Sequence, residues 1–495
     1  MNSLPPLPVS FCICIQRFTT LSDRLQVLLF PMKERTLTTP SLTPQTIAVV
    51  VAVLLVIAAG GVGLIVSNNF APLYVFAGLI AILVMILWVK NPLLGFLTAV
   101  WLVFLPLGLI PAGVQSFLNR AAAVGAFTAW SLSVIFKHRK IVINPAVIIM
   151  AGFLVWSLIT LAWSKSPSQS LYQLQIYTLR WLLFLVLGTN FVSEGKSQTD
   201  LMRVIALNGW ILMFTFIFTL ITSGYTPGTR LKIAGMNENE AAVLGLLFIP
   251  AILWNTLTGQ GKNNLGHKLI AAIYMLLTSL LAVMSGSRGS MISLAVLMLG
   301  FLFIRETRIY PLLALGVTTL VVLIYPQLFT TLIYRLTVES SESLLGGREY
   351  IWKAAMLMIS HHPWLGVGLG NAPTEIIPYL RYFAPIYTSS VALHNPLLTI
   401  WAETGLFGLL LYSGILISSI FIFATQFLRE ARQQTSPLTA AYGVIGISVL
   451  AYLVSWFKGG GSESEFAFFL AIALLNLKVG VCPERAIRTA KEHLM

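Results

Sequence analysis

The chain has 495 residues, of which 57% are hydrophobic and only 10% are charged, with a formal net charge of +14 at pH 7. Globular proteins carry about 25% charged residues, so this composition excludes a string of soluble domains and predicts one polytopic membrane domain. No basic stripe of the kind that binds nucleic acid is present, which argues against a nucleic-acid partner. The cysteines, Cys12, Cys14 and Cys482, are an odd number at the two ends of the chain and do not form a disulfide framework.

Residues 1–46 are predicted to form a cytoplasmic amino-terminal segment. Residues 1–31 are of mixed character and contain several prolines, and Met32, which precedes a polar stretch, is an alternative translation start. The apolar run 9–15 is too short to span a bilayer. No small-residue cleavage site follows it, which argues against a cleaved signal peptide.

The rest of the chain contains successive apolar runs of roughly 15–25 residues, which predict an all-α protein with about 12–14 transmembrane helices. Spans 1–11 fall within residues 47–329 and spans 12–14 within residues 396–480, with a large loop at 330–395 and a cytoplasmic tail at 481–495. The predicted spans are 47–67, 70–89, 92–110, 118–136, 144–162, 173–192, 203–222, 239–257, 269–285, 290–304, 309–329, 396–425, 437–457 and 464–478.

Lysine and arginine residues predict the orientation of these spans. They concentrate at both ends of the chain and on every second connection, including the cluster at 137–140. The positive-inside rule assigns that side, with both termini, to the cytoplasm. The outer, periplasmic side then receives the polar connections 163–170, 223–240, 285–290, 330–395 and 458–465. Because ATP and nucleotide sugars are cytosolic, this location excludes chemistry driven by them, and the sequence has no G-x-x-x-x-G-K-[ST] loop.

The outer connection Ser285–Ser290 joins two short apolar runs and contains Arg288. Its small residues permit a tight turn and the close approach of a ligand. Short helices interrupted by glycine point to a binding site, and an arginine at the membrane boundary is suited to bidentate phosphate binding. The alternative is that Arg288 extends to lipid headgroups.

Residues 348–360 of the large loop are predicted to form an amphipathic helix that lies in the plane of the membrane interface. The apolar residues on its one face are Ile351, Ala355, Met358 and Ile359. Arg348 follows Gly346–Gly347 and lies in the first turn, where the helix dipole favours anions, so a cation there indicates a phosphate site. The alternative is again a contact with lipid headgroups.

The glycine-rich sequence HHPWLGVGLG, residues 361–370, is predicted to end this helix, because Pro363 cannot continue it and the glycines permit tight turns. A G-x-G-x-G run suggests a phosphate loop, but no strand is predicted before it, so a dinucleotide site is excluded and a turning role is favoured. His361 and His362 are assigned to capping and packing.

His394 begins the next apolar run, on the same side as the arginine-bearing segments. An imidazole with an ordinary pKa of about 6.5 is suited to take a proton from a hydroxyl at neutral pH, so His394 is a candidate general base. The alternative is a helix-capping or interfacial histidine.

Other charged residues within or beside the apolar runs are weaker candidates. Arg180 lies inside a predicted span, and a buried membrane arginine is a functional candidate by default. Arg230, Lys353 and Arg381 extend the positive charge of the outer loops and are candidates for binding an anionic substrate. Glu403 is the clear acidic residue within a span, and this scarcity of acids argues against an ion-coupled transporter.

Four motifs in this order resemble the superfamily of bacterial O-antigen ligases and Wzy-type O-antigen polymerases. They are SGSRG at 285–289, GGREYIW at 346–352, HHPWLGVGLGN at 361–371 and HNPLLTIWAETGLFGLL at 394–410. TRLKIAGMNENEAAVLGLL at 229–247 is similar to the segment that precedes the ligase core. The resemblance covers residues 200–480 well and the amino-terminal helices by hydropathy alone. Family ligases have about a dozen spans, fewer than are predicted here, and the amino-terminal extension has no counterpart.

The resemblance implies a membrane glycosyltransferase with a fold similar to the GT-C enzymes. Such enzymes transfer a glycan from undecaprenyl diphosphate at the outer face of the cytoplasmic membrane, with inversion and without metal, cofactor or nucleotide sugar. The family's functional arginines correspond to Arg288 and Arg348, and its functional histidine to His394. Ligases use a lipid A core or another acceptor, and polymerases use the next lipid-linked repeat.

Two rival functions lie outside glycosyl transfer. Some members of the superfamily are labelled inorganic-carbon transporters, and a transporter requires polar residues near the midplane, for which only Arg180 and Glu403 are candidates. A non-catalytic membrane scaffold leaves the outward set Arg288, Arg348 and His394 unexplained.

Overall fold

The computed structural model describes residues 70–105, 112–138, 140–192, 195–224, 226, 229–233, 235–258, 264–334, 337, 348–384, 389–432, 438–459 and 464–477. The chain divides into two compact units, Met1–Ile82 and Leu83–Met495. The described part of the first unit is residues 70–82, and the residues discussed below belong to the second. The alternative start Met32, the first predicted span, the cysteines and the carboxyl-terminal tail lie outside the described residues.

The described residues form helices and contain no strand. The helices are α1 (Phe70–Lys90), α2 (Pro92–Val103), α3 (Ala112–Lys137), α4 (Pro145–Ile159), α5 (Pro167–Phe191), α6 (Gly195–Ser223), α7 (Glu238–Leu257), α8 (Leu265–Met284), α9 (Arg288–Leu302), α10 (Ile309–Ile324), α11 (Arg348–His361), α12 (Ala372–Glu375), α13 (Ile377–Phe383), α14 (Pro396–Arg432), α15 (Leu438–Trp456) and α16 (Ser464–Leu475). Short 3-10 turns follow α4 at Thr160–Ala162 and α10 at Pro326–Phe329.

This architecture confirms an all-α polytopic membrane protein. Within the described residues, 7 helices are long and apolar enough to cross a membrane, and shorter apolar helices accompany them. Each predicted span from 70–89 onward coincides with a helix, whereas 47–67 is not described. The total of about 12–14 spans and the likeness to GT-C enzymes therefore stay predictions.

The predicted span 309–329 is not one straight helix. The chain bends by 114° between Ile309–Val321 and Pro326–Tyr334. Proline disfavours the helical conformation of the residue before it, and Tyr325 accordingly has a non-helical backbone, with φ of −129° and ψ of 64°.

The basic connections and the polar connections, which the sequence assigns to opposite sides of the membrane, lie at opposite ends of the helices. Hydrogen bonds join the basic connections at one end, between 90 and 137, between 142 and 190, and between 199 and 254. Helix α4 leads from this end to the polar connection 163–170, and α5 leads back. The alternation predicted from lysine and arginine is thus present, while the assignment of the basic end to the cytoplasm stays a prediction.

Helix α11 packs differently from its prediction. Its apolar face is not exposed to the membrane interface but is buried within the protein, with Met358 fully covered. The covering residues are Ile376 and Leu380 of the α12–α13 segment, Leu393, and Ala402 of α14. The periodicity correctly predicts the buried face, whereas the protein segment that covers it lies later in the chain.

Candidate functional site

The five predicted outer connections contact one another at one end of the helices. The contacts run between 163–170 and 368–375, between 229–231 and 284–285, between 229 and 331, between 289 and 455, and between 348 and 458. Segments that are far apart in the sequence therefore meet in one place. This cluster contains the motifs that the sequence analysis selected.

Arg288 is the first residue of α9, at the end of the small-residue turn. The turn is capped by Ser287, whose Oγ accepts a hydrogen bond from the Ser290 N–H at 3.2 Å. Gly289 lies against the end of α15, so that a Cβ at this position would be 3.2 Å from Ser455 Oγ. The helix amino terminus beside Arg288 adds a partial positive charge to that of the guanidinium.

Arg348 reaches the same end of α15 from the large loop. It begins α11, and its guanidinium donates a hydrogen bond to the carbonyl oxygen of Lys458. Lys458 is in turn joined to Ser455, because its N–H donates to the Ser455 carbonyl at 3.0 Å. The turn that ends α15 thus touches both arginine-bearing segments.

His394 lies near Arg348 and has an unusual backbone. Its φ is 52°, in the left-handed region that few non-glycine residues adopt. The preceding residue is held by α11, since Trp352 Nε1 donates to the Leu393 carbonyl at 3.0 Å. Burial, and to a smaller extent the charge of Arg348, lowers the pKa of His394. A lowered pKa keeps the imidazole neutral at neutral pH, which is the form that accepts a proton.

Arg230 is already engaged by protein groups. Its guanidinium forms an ion pair with Glu238 at 3.3 Å and donates to Asn239 Oδ1 at 2.6 Å and to the Ser285 carbonyl at 2.9 Å. It therefore joins the segment before α7 to the turn that carries Arg288. With Lys232 it lines a cavity of ≈ 320 Å³ at the outer end of α6.

The remaining candidates lie elsewhere. Arg180 is buried in the core, with its guanidinium 4.2 Å from the ring centre of Phe466, at the start of a π-helical segment in α5. Lys353 and Arg381 are exposed, on α11 and α13. The structure thus brings Arg348 and His394 together and joins Arg288 to them through α15. The roles of Arg180, Arg230, Lys353 and Arg381 in binding substrate stay predictions.

The glycine-rich segment 361–370 forms the turns that the sequence predicts. Gly366, Gly368 and Gly370 have φ of 69°, 97° and 78°. The segment packs against a break in α14 at Gly405, where φ is 68° and ψ is −172°. Backbone hydrogen bonds join the two, from the Val367 N–H to the Ala402 carbonyl at 2.9 Å and from the Leu406 N–H to the Pro363 carbonyl at 2.9 Å.

One residue of this junction, Asn371, and the partners of another, Glu403, escape a sequence-based search. Buried Asn371 joins the large loop to the connection after α4, since its Nδ2 donates to Ser164 Oγ at 2.8 Å and Ser170 Oγ at 2.9 Å. Glu403 is recognisable as a membrane acid, yet its partners are not. Asn371 and Glu403 both lie within the motifs that resemble the O-antigen ligase superfamily, and this position in the sequence is the signal that could have identified them.

Comparisons with known proteins agree with this geometry. Residues 273–413 match the O-antigen ligase family. This match confirms the resemblance seen in the motifs. It extends from α8 to the middle of α14 and includes Arg288, Arg348 and His394.

Two curated proteins are similar over most of the chain. The teichuronic acid biosynthesis protein TuaE of Bacillus subtilis (strain 168) is 23% identical over 372 residues, which cover 68% of this chain and 72% of TuaE. The exopolysaccharide production protein ExoQ of Rhizobium meliloti (strain 1021) is 24% identical over 362 residues, which cover 69% of this chain and 80% of ExoQ. The similarity therefore reaches well beyond the matched family segment.

Proposed function

We propose that this protein is a membrane glycosyltransferase of the O-antigen ligase type, which transfers a glycan from a polyprenyl-diphosphate carrier to an acceptor. The reaction takes place at the outer face of the cytoplasmic membrane. The observation that carries the proposal is that the helix of Arg348 holds Leu393, next to His394, through Trp352 and is joined through the end of α15 to the turn of Arg288. The family match over the same residues supports it.

The three residues divide two tasks in this reaction. Arg288 and Arg348 bind the diphosphate and stabilise the negative charge that develops on it as it leaves. His394, neutral at the pH of the reaction, takes the proton of the acceptor hydroxyl. The acceptor oxygen forms a bond to the anomeric carbon while the bond from that carbon to the phosphate oxygen breaks, which inverts the anomeric configuration. The polyprenyl diphosphate leaves with the bonding electron pair.

The other candidates would act around this centre. Lys353, five residues after Arg348 on α11, is exposed and available to the diphosphate or to the glycan. Arg381 on α13 is also exposed and could be reached by an acidic sugar of the glycan or acceptor. The polyprenyl chain would lie against the apolar surfaces of the helices. No metal or cofactor is needed in this scheme.

A polymerase with the same site is the second candidate function. It is favoured by the names of the two relatives, which refer to teichuronic acid biosynthesis and to exopolysaccharide production. A polymerase would use a lipid-linked repeat as the acceptor and would extend the chain. The chemistry at His394, Arg288 and Arg348 would be unchanged.

The experiment is an analysis of lipid-linked glycans in a strain that lacks the gene. The strain is complemented with wild type, with His394→Ala, or with Arg203→Ala as the matched control. Arg203 is exposed near the basic end of α6 and pairs with Asp200 at 3.0 Å, far along the helix from the outer connections. Expression of each variant in the membrane is measured in parallel.

Each outcome has a defined meaning. Long glycans that accumulate on the carrier, and that wild type and Arg203→Ala clear but His394→Ala does not, support a ligase. Accumulation of single repeats with the same pattern of rescue supports a polymerase instead. If the lipid-linked pool does not change in the deletion strain, glycosyl transfer is rejected and uptake assays become the next step.

A further inference from the structure

Glu403 is a buried acid in the short first segment of α14, between His394 and the break at Gly405. Its side chain is 4% exposed. The carboxylate faces the backbone N–H groups of Gly370 and Ala372. Its own carbonyl oxygen accepts from the Gly368 N–H at 2.8 Å. An ionisable residue inside a membrane helix is costly, and here the polar groups that face the carboxylate belong to the glycine-rich segment and to the start of α12.

One route from Glu403 to His394 runs along α14. Residues 396–404 form about two helical turns between the break and the start of the helix. Asn395 caps this start, since its Oδ1 accepts from the Leu398 N–H at 3.0 Å. A displacement of Glu403 therefore also moves Asn395, the residue after His394, because the segment between them is a rigid helix.

A second route runs through the large loop. Ala372, whose N–H faces the Glu403 carboxylate, is followed by Pro373, whose carbonyl accepts from the Val391 N–H at 3.0 Å. Val391 lies three residues before His394 along the chain. The two routes close a ring that begins and ends at Glu403 and contains His394.

The backbone of His394 needs such support. A non-glycine residue with a φ of 52° persists where the surrounding structure over-determines its conformation. Trp352 holds Leu393, and the ring through Glu403 holds Val391 before His394 and Asn395 after it. Removal of the carboxylate takes the negative charge away from the N–H groups of Gly370 and Ala372. The backbone bonds of Val367 and Gly368 to α14 remain, so the ring loosens at the start of α12.

We propose that Glu403 is a positioning residue for His394, which acts by tying the start of α12 to the first segment of α14. This inference rests on the proposed transferase function, in which His394 is the base. Glu403 itself touches neither donor nor acceptor. Its loss should lower kcat and leave the KM for the lipid-linked glycan unchanged, because the arginines that bind the diphosphate are not part of the ring.

The test uses the full-length protein in detergent or proteoliposomes, with polyprenyl-diphosphate-linked glycan as the donor. The variants are Glu403→Leu, which removes the acceptors, and Glu403→Gln, which keeps the shape and one acceptor oxygen. The matched control is Trp156→Phe, which removes a hydrogen bond of 2.8 Å from Trp156 Nε1 to the neighbouring Thr404 carbonyl. Transfer rates are normalised to the folded fraction, and amide hydrogen exchange is followed at 370–372, at 389–395 and in α15.

We expect Glu403→Leu to lower kcat by about 100-fold, as a displacement of roughly 1 Å at a catalytic group does. Glu403→Gln should give a smaller loss, and Trp156→Phe little change. Exchange should become faster at 370–372 and 389–395 in Glu403→Leu and stay unchanged in α15. The inference is overturned if kcat is retained, or if exchange at 389–395 does not change. If wild type transfers no glycan, the proposed function fails, and the exchange pattern alone then decides whether Glu403 holds the His394 segment.

Discussion

The junction of the glycine-rich segment with the break in α14 can be tested by one added methyl group. In Gly405→Ala the new Cβ would lie 2.0 Å from the carbonyl oxygen of Trp364 and 2.5 Å from the Leu365 nitrogen. These are backbone atoms and cannot rotate away. The backbone at φ of 68° and ψ of −172° lies in a region that is essentially restricted to glycine and adds about 1–3 kcal/mol for a residue with a Cβ, and overpacking adds about 1–3 kcal/mol. The expected loss of stability is therefore about 2–6 kcal/mol.

The measurement is equilibrium unfolding in mixed micelles with increasing SDS, followed by tryptophan fluorescence. The matched control is Gly316→Ala in α10, where a Cβ would meet nothing within 4 Å. This control should change the free energy of unfolding by no more than about 1 kcal/mol, since alanine is the better helix former. If Gly405→Ala unfolds at the same SDS concentration as wild type, the glycine-rich segment and the break in α14 do not pack as described. The ring through Glu403, which depends on this packing, is then refuted as well.

Three further predictions address the cluster. Asn371→Leu should lower the free energy of unfolding by about 1–3 kcal/mol for each polar partner that it leaves unsatisfied. Lys165→Ala at the same junction should lower it by about 0–1 kcal/mol, because the ion pair with Glu375 is exposed. Equal effects of the two variants in the unfolding assay would contradict this. Activity should fall as pH falls through the lowered pKa of His394. Arg348→Gln should move this acidic limb of the pH–rate profile to higher pH, whereas Arg348→Lys should not. An unmoved limb in Arg348→Gln would show that the charge of Arg348 does not act on His394. Arg230→Gln should destabilise the protein more than Lys232→Ala, because Lys232 is exposed and 4.0 Å from Glu238; the reverse order would show that Arg230 is not held as described.

Much of the helix pattern follows from local rules. Apolar length predicts the helices, and Pro396 after the Asn395 cap marks the start of α14 because proline lacks the N–H that a first helical residue does not use. The one-sided burial of α11 follows from its periodicity. The alternation of lysine and arginine predicts which connections share an end, and the contacts among the polar connections agree with it.

The partners of individual residues could not be predicted, because they depend on contacts between distant segments. Glu403 is visible in the sequence as a membrane acid, but nothing in the neighbouring sequence indicates that its carboxylate faces the backbone N–H groups of Gly370 and Ala372. Arg230 has the composition of an anion-binding residue, yet Glu238 and Asn239, a few residues later, already use its guanidinium. In both cases the side chain type predicts the need for a partner, and the fold decides which partner it is.

Arg230 and Arg348 have different hydrogen-bond partners, and this difference bears on how the site could bind a diphosphate. An arginine with a carboxylate partner must break that ion pair before it binds a second anion, which costs part of the affinity gained. Arg230 is in this position, because Glu238 is 10% exposed and lies 3.3 Å away. Arg348 donates to a neutral backbone carbonyl, that of Lys458. Burial, and to a smaller extent the charge of Arg348, lowers the pKa of His394. A diphosphate bound at Arg348 would oppose that effect and raise the proton affinity of His394, so donor binding would strengthen the base just before it is needed.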